Sequence, residues 1–253
     1  MDVVYTPFTW QVWPRFLHVR DSMSTEEVRK PRISVIIAAQ NEAENIGDVI
    51  LACRRYADEI VVVDGHSTDD TMGVASRLGC VVLSDHNRGK GDAIRVGIEA
   101  AHGDILVFMD ADGSHDANDI PRLIDPILKD EADHVAGSRL LGGSSELHGG
   151  FDEFFRLAGS SFITAFINWR FGVRLSESQN GFRAIRADVA RKLDLRENIA
   201  SIEQEMIIKT LRRGYRMGEV PAHEYRRRFG SSHIKLWKVS FRFVYTLIKY
   251  CYL

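Results

Sequence analysis

The chain has 253 residues, of which 45% are hydrophobic and 27% are charged, and it contains 20 glycines, 6 prolines and 3 cysteines. This composition is typical of a folded globular protein and excludes the collagen-like, disordered and disulfide-scaffold classes. The formal net charge of -2 provides no excess of cations for a phosphate backbone, so nucleic acid is not an expected partner.

The first 30 residues differ from the rest of the chain. Their aromatic side chains follow neither a helical nor a strand period and are interrupted by Pro7 and Pro14. We expect residues 1–30 to form an N-terminal arm that packs on the main domain. A contact with a membrane or with a second subunit, and hence a homo-oligomer, is the alternative for this arm.

From residue 31 onward, short apolar runs alternate with segments of helical spacing. Strands are predicted over 33–38, 59–64, 80–83, 104–109 and 134–138, and helices over 44–55, 68–78, 90–101, 151–171, 186–193 and 203–213, with a glycine- and serine-containing loop over 142–150. Apolar strands that alternate with helices indicate an α/β domain whose mainly parallel sheet is buried on both faces. Ligands bind beyond the carboxyl ends of such strands, which here are residues 40–41, 64 and 110–112.

Two further features concern the environment of the protein. Residues 234–253 combine aromatic and aliphatic side chains with dispersed cations, which predicts an amphipathic helix. This helix would either pack on the domain or lie at a membrane interface. The few, scattered cysteines fit a reducing cytoplasm, and no apolar run reaches the roughly 18 residues of a membrane span.

The sharpest chemical feature is the pair Asp110 and Asp112, which flanks Ala111 directly after an apolar strand. Magnesium and similar hard cations take oxygen ligands and often join one or two carboxylates to substrate phosphates. The pair therefore indicates a metal site, although acidic residues also cap the amino terminus of a helix.

Asp64 ends another strand and is either a ligand for a base or ribose or a turn residue. Residues 88–91 form a basic glycine turn that enters a helix, which suits a phosphate but lacks P-loop spacing.

Taken together, these segments resemble the family-2 glycosyltransferases of the GT-A fold, and within them the polyprenyl- or dolichyl-phosphate mannose and glucose synthases. The resemblance is carried by SVIIAAQNE from residue 34, VVVDGHSTDDT from 61, NRGKGDA from 87, VFMDADGSH from 107, GSR from 137, QNGFRA from 179 and RFGSSH from 228. It implies a GT-A (nucleotide-diphospho-sugar transferase) catalytic domain over 31–233, with a mixed, mainly parallel sheet flanked by helices. The chain departs from the family pattern at Gly65, where the family usually has a second aspartate.

The resemblance also implies roles for individual residues. The nucleotide-sugar would contact Ala38, Asn41, Glu42, Asp64, Lys90, Asp110 and Ala111, and Asp110 and Asp112 would hold Mg²⁺ or Mn²⁺. The acceptor and its phosphate would contact Arg139, Gln179, Arg183, Arg228 and Ser232. The catalytic residues would be Asp112, Arg139, Glu203 and Glu205.

By this resemblance the chain is an inverting transferase that moves a hexose from a nucleotide-sugar, of the GDP-mannose or UDP-glucose type, to a polyprenyl phosphate. It would act at the cytoplasmic membrane face as a peripheral protein. A phosphate acceptor is already anionic and needs no strong base, whereas a hydroxyl acceptor does need one. Glu203 and Glu205 are the candidates for this base. The alternative is that both only place negative charge in the first turn of a helix. The alternatives are a family-2 enzyme with a saccharide or small-molecule hydroxyl acceptor, a sugar-nucleotide pyrophosphorylase, and a non-catalytic nucleotide-sugar-binding protein.

Overall fold

The computed structural model describes residues 29–145, 151–227 and 236–252, and within them all side chains except those of 151–157 and 236–241. Residues 31–253 form one compact unit. The predicted arm over 1–30 lies almost entirely outside the described residues. Within the described part of the chain, no helix is both long enough and apolar enough to cross a bilayer.

The domain is built on a single sheet of seven strands. The strands are β1 (Ile33–Ala39), β2 (Glu59–Asp64), β3 (Val81–Ser84), β4 (Ile105–Asp110), β5 (His134–Ser138), β6 (Arg183–Arg186) and β7 (Met217–Pro221). Their order across the sheet is β3-β2-β1-β4-β6-β5-β7. β6 runs antiparallel to β4 and β5, and the other neighbouring pairs are parallel, so the sheet is mixed and mainly parallel.

Helices cover both faces of this sheet. They are α1 (Ile46–Cys53), α2 (Thr71–Arg77), α3 (Lys90–Ala100), α4 (Ile120–Leu128), α5 (Arg139–Gly142), α6 (Phe151–Phe171), α7 (Ala187–Lys192), α8 (Ile202–Arg212) and α9 (Leu236–Tyr252). Side chains of α1, α2 and α4 join one core cluster, and those of α3, α7 and α8 join a second. A third cluster joins α6 and α9 to the outer side of α8.

The central strands explain why the sequence shows continuous apolar runs. In β1, Val35 and Ile37 enter the first cluster while Ile36 enters the second. In β4, Val107 and Phe108 divide in the same way. Successive strand side chains point to opposite faces, so a strand that is covered on both faces must be apolar at every position.

Four elements have no predicted bounds from the sequence, namely β6, β7, α4 and the four-residue α5. β6 has only four residues and begins and ends with arginine, so it does not show the apolar run that predicts a buried strand. β7 contains a glycine and ends at a proline, both of which are unfavourable in strands. α4 contains Pro121 in its first turn and Pro126 in its interior, and an interior proline normally predicts the end of a helix.

Helix α3 approaches the sheet so closely that one position in it accepts only glycine. A Cβ atom added to Gly97 would overlap the Cγ2 methyl of Ile36, which is completely buried in β1. The close approach packs α3 on the middle of β1, and the amino terminus of the same helix carries Lys90 to Asp110 at the end of β4. Gly159, by contrast, lies in α6 with no atom within 4 Å of the corresponding Cβ position.

We expect Gly97→Ala to lower the free energy of unfolding by about 1–3 kcal/mol, because the overlap outweighs the better helix propensity of alanine. Gly159→Ala is the matched control and should raise it by about 0.5–1 kcal/mol. Urea unfolding followed by circular dichroism measures both. Equal effects of the two substitutions would contradict the close packing of α3 on β1.

Candidate active site

The carboxyl ends of β1, β2 and β4 meet at one edge of the sheet. Parallel pairing sets Ala38 beside Asp110 and Ala39 beside Asp64. β2 and β4 lie on opposite sides of β1, so the chain connections that follow β1 and its neighbours leave this edge in opposite directions. Open α/β sheets bind their ligands in the crevice at such a point. The strand-end residues singled out in the sequence therefore share this edge.

Asp64 and Asn41 shape the loops at this edge. The buried carboxylate of Asp64 accepts hydrogen bonds from the backbone N–H of Ser67 at 2.9 Å and from its hydroxyl at 2.5 Å. Asn41 has a left-handed backbone with φ of 55°, and its Oδ1 accepts from the backbone N–H and hydroxyl of Thr68. These contacts tie the loop after β1 to the loop after β2; a contact of either side chain with a nucleotide stays a prediction.

The predicted basic turn brings Lys90 to Asp110, the first residue of the aspartate pair. Gly89, with φ of 106°, precedes α3 and turns the chain so that Lys90 Nζ lies 2.6 Å from Asp110 Oδ1 and 2.9 Å from Glu203 Oε1. Burial alone would raise the pKa of Asp110, but the ammonium of Lys90 overrides it and lowers the pKa to about 2. Burial would lower the pKa of Lys90, but the two carboxylates override it and raise this pKa, so Lys90 and Asp110 are both ionised at neutral pH.

This ion pair lies in a small pocket. The pocket is lined by Lys90, Ile94, Phe108, Met109, Asp110, Gly181, Arg183, Ile202, Glu203 and Met206. A Cβ atom at Gly181 would be 3.0 Å from both Asp110 Oδ2 and Lys90 Nζ, so the segment that enters β6 passes directly against the pair. Gln179, two residues earlier, is half-buried in the same segment.

Asp112 is held by a second cation, which sequence reasoning missed. Arg227 Nη2 lies 2.7 Å from Asp112 Oδ2, and Arg227 Nη1 lies 3.7 Å from Glu42 Oε1. The other oxygen of Asp112 accepts the backbone N–H of Ser114 at 3.0 Å. The resemblance indicated Arg228. For Arg227, the only indication in the sequence is that it lies in the run of three arginines over 226–228.

Glu203 and Glu205, which were indistinguishable in the sequence, have different environments. Glu203 faces the pocket, and its Oε2 is buried with no hydrogen-bond partner among the described residues. Glu205 is fully buried elsewhere, where its oxygens accept the backbone N–H groups of Arg196 and Glu197 and pair with Lys209 at 2.7 Å. Glu205 thus holds a loop, and of the two only Glu203 is positioned to act as a base.

Arg139 and Arg183 are both engaged by the protein itself. Arg139 Nε lies 2.6 Å from Glu177 and Nη1 lies 2.8 Å from Glu224, with the guanidinium largely buried. Arg183 is almost completely buried in β6 and donates to the backbone oxygens of Glu203, at 2.9 Å, and Asn180. Burial lowers the pKa of Arg183 to about 10. Their assignment to an acceptor phosphate stays a prediction, and the contacts of Arg183 orient the Glu203 backbone.

The remaining predicted positions are an alanine and two residues that are not described. Ala111 is buried between the two aspartates. Arg228 and Ser232 lie outside the described residues.

The donor set at Asp110 and Asp112 fits a hard divalent cation that binds together with a phosphate. Both side chains offer carboxylate oxygens just beyond the end of β4, where Asp110 lines the pocket. Among the described residues, no group of three or more acidic, histidine or cysteine side chains could hold a metal alone. Mg²⁺ commonly takes one or two carboxylates and completes its octahedron with waters and substrate phosphates, which is the set available here.

Comparisons with known proteins identify both the fold and the family of this chain. Glucosyl-3-phosphoglycerate synthase from Mycobacterium tuberculosis, solved with Mn²⁺, UDP-glucose and phosphoglyceric acid, matches with a TM-score of 0.71 and 25% identity over 87% of this chain and 80% of that chain. The chain therefore has the GT-A fold of nucleotide-sugar transferases. The family model for glycosyl transferase family 2 matches residues 34–193, and the chain belongs to that family.

Two relatives extend the match beyond the family segment. An uncharacterized protein of Methanocaldococcus jannaschii is 29% identical over 236 residues, which cover 89% of this chain and 96% of that protein. The dolichyl-phosphate hexose transferase of Haloferax volcanii is 27% identical over 205 residues, which cover 80% of this chain and 86% of that protein. The resemblance to family-2 enzymes related to the polyprenyl-phosphate sugar transferases is confirmed, and the protein is a glycosyltransferase.

We expect Glu205→Gln to cost about 3 kcal/mol in the free energy of unfolding, because it breaks a buried ion pair and removes an acceptor from two backbone amides. Glu203→Gln, in the same helix turn, should cost less than half as much, because one of its oxygens has no partner to lose among the described residues. Urea unfolding measures both. A larger loss for Glu203→Gln would contradict the division of roles between the two side chains.

Proposed function

We propose that this glycosyltransferase moves a hexose from a nucleotide-sugar to a polyprenyl phosphate and that it needs Mg²⁺ or Mn²⁺. The observation that carries the proposal is the placement of Asp110 and Asp112, each beside a cation, at the sheet edge where β1 ends at Ala39 and β2 ends at Asp64. The dolichyl-phosphate hexose transferase of Haloferax volcanii supports the acceptor, and the Mn²⁺ and UDP-glucose in glucosyl-3-phosphoglycerate synthase support the metal and the donor type.

On the donor side, Asp110 and Asp112 would hold the metal, and the bound cation would neutralise the diphosphate leaving group. Lys90 lies beside Asp110 and Arg227 lies beside Asp112, so both would offer further positive charge to the phosphates. Asp64 and Asn41 would position the loops that receive the nucleotide, and Glu42 and Ala38 would form the floor of its site.

On the acceptor side, a phosphate is already a competent nucleophile at neutral pH and needs no general base. Glu203 Oε1 is already paired with Lys90 Nζ at 2.9 Å, so this oxygen has a partner other than an acceptor hydroxyl. Arg139 lies at the carboxyl end of β5 and would meet the acceptor phosphate, provided that the phosphate competes with Glu177 and Glu224 for the guanidinium. This arrangement favours a phosphate acceptor.

A hydroxyl acceptor is the second candidate, and one observation favours it. Glu203 Oε2 is buried at the pocket without a hydrogen-bond partner among the described residues, which is where a base would receive a proton. The phosphoglyceric acid in the structure of glucosyl-3-phosphoglycerate synthase shows that a related fold binds a small acceptor. The variant that separates the two candidates is Glu203→Gln.

The proposal includes a peripheral contact with the cytoplasmic face of a membrane, and two helices support it. Tyr245, Ile248 and Tyr252 share one face of α9, and each is more than half exposed. Trp169 of α6, 73% exposed, adjoins this face because Phe166 contacts both Trp169 and Tyr252, with ring centroids 5.6 and 6.2 Å apart. Exposed aromatic side chains with neighbouring cations are typical of helices at a lipid interface.

We expect release of nucleoside diphosphate from a panel of nucleotide-sugars to require both Mn²⁺ and a short polyprenyl phosphate. Asp112→Asn should lower this release about hundredfold or more, since a metal supplies several kcal/mol of charge stabilisation. Asp125→Asn, an exposed carboxylate on α4, is the matched control and should leave it unchanged.

In the same assay Glu203→Gln should keep lipid-dependent release within about tenfold, because no proton needs to be removed from a phosphate. A loss of about 10²–10⁴ would instead indicate a general base and a hydroxyl acceptor. Donor binding without release under any of these conditions would point to the non-catalytic alternative.

We expect the protein to sediment with vesicles that contain anionic phospholipid. Replacing Ile248 and Tyr252 together by glutamate should weaken this binding roughly tenfold or more, because each buried apolar side chain contributes about 1.5–3 kcal/mol. Leu51→Glu, an equally exposed apolar position on α1, should have no effect. Sedimentation that is unchanged in the double variant would contradict a membrane contact through α9.

A further inference from the structure

The loop between α7 and α8 lies against the amino terminus of α3, where Lys90 is the first helical residue. The backbone oxygen of Asn198 accepts the N–H of Gly91 at 2.9 Å. A Cβ atom at Gly89 would lie 2.8 Å from this oxygen, and one at Gly91 would overlap the backbone oxygen of Glu197. The two glycines that flank Lys90 therefore leave room for this loop, and the loop fixes the turn from which Lys90 extends.

Arg95, in the second turn of α3, strengthens the contact with this loop. Its Nη1 donates to the backbone oxygen of Glu197, and its Nη2 lies 2.5 Å from Asn198 Oδ1. The side chain of Arg95 is itself largely buried. The backbone of residues 197 and 198 is thus bound to the first two turns of α3.

The side chain of Glu197 contacts a different helix, α9. Its Oε1 accepts hydrogen bonds from Lys249 Nζ at 3.1 Å and from the hydroxyl of Tyr250 at 3.0 Å. Its Oε2 accepts the hydroxyl of Ser201 at 2.9 Å and lies 3.6 Å from Arg242 Nε. Burial alone would raise the pKa of Glu197, but these contacts override it and lower the pKa, so the carboxylate is ionised at neutral pH.

We propose that Glu197 is a positioning residue for Lys90 and that it joins α9 to the active site. Its carboxylate is bound by α9 and its backbone oxygen by α3, so loss of the contacts with α9 frees the loop that fixes the first turn of α3. Lys90 is then no longer held beside Asp110. The inference rests on the proposed function only in taking Lys90 as a contact of the donor phosphates.

Hydrogen–deuterium exchange of the peptide that contains the first turn of α3, read by mass spectrometry without lipid, tests this link independently of turnover. We expect Glu197→Gln to raise the exchange rate of these amides about tenfold or more, because it removes one partner of a buried ion pair.

Lys249→Met makes the same test from α9 with less risk to the fold, because the Lys249 side chain is 31% exposed. It should raise the exchange rate about two- to fivefold, as expected for a partly exposed ion pair. Lys249→Arg, which keeps the charge, should exchange as the wild type does.

Asp133→Asn is the matched control for a general loss of stability. The carboxylate of Asp133 is also largely buried and pairs with an arginine, Arg216 at 3.0 Å, but it lies at the amino end of β5, away from Lys90. This variant should leave exchange in α3 unchanged. Unchanged exchange in Glu197→Gln, or an equal rise in Asp133→Asn, would overturn the proposal.

A double-mutant cycle tests whether Glu197 acts through Lys90. With the nucleotide-sugar of the panel that gives the fastest release, Glu197→Gln should lower kcat/KM about tenfold in the wild-type background and less than about twofold in the Lys90→Met background. Equal losses in the two backgrounds would indicate a merely structural role and would overturn the proposal. Failure to release nucleotide with any donor would disprove the proposed function and leave the exchange result to decide on Glu197.

Discussion

The site depends on the compensation of one partly buried charge. Strand β4 is apolar on both faces up to Met109, and it ends in the carboxylate of Asp110. Burial penalises an ionised carboxylate, and the ammonium of Lys90 at 2.6 Å is the main group that keeps it charged. The neighbourhood is arranged around that pairing, because Lys90 begins the first turn of α3, Gly89 supplies the positive φ before it, and a Cβ atom at Gly181 would crowd both charged groups.

The balance of charge at this edge explains why the geometry suits a metal and a diphosphate. Asp110, Asp112, Glu42 and Glu203 lie against the cations Lys90 and Arg227, which leaves an excess of two negative charges in this group. In the proposed function, a divalent cation bound together with the donor diphosphate would cancel that excess.

The sequence predicted what depends on periodicity and on the ends of strands. The α/β class, the position of Asp64 and Asp110 at one edge, and the bounds of the helix over 151–171 could be read from local patterns, because buried parallel strands leave long apolar runs. β6 and the separation of Glu203 from Glu205 could not be predicted, because they depend on contacts between distant segments. The contact of Arg227 with Asp112 joins residues 115 positions apart and leaves no local signal.

The central claim is that the hexose ends on a lipid phosphate, and the most direct measurement follows the sugar itself. The protein is incubated with Mn²⁺, a polyprenyl phosphate and the nucleotide-sugar that it turns over, carrying a labelled hexose, and the products are partitioned between water and an organic solvent. The account predicts label in the organic phase as an acid-labile glycosyl phosphate, and none with Asp112→Asn. Label that stays in the aqueous phase on a soluble acceptor, or only as free hexose, would contradict it.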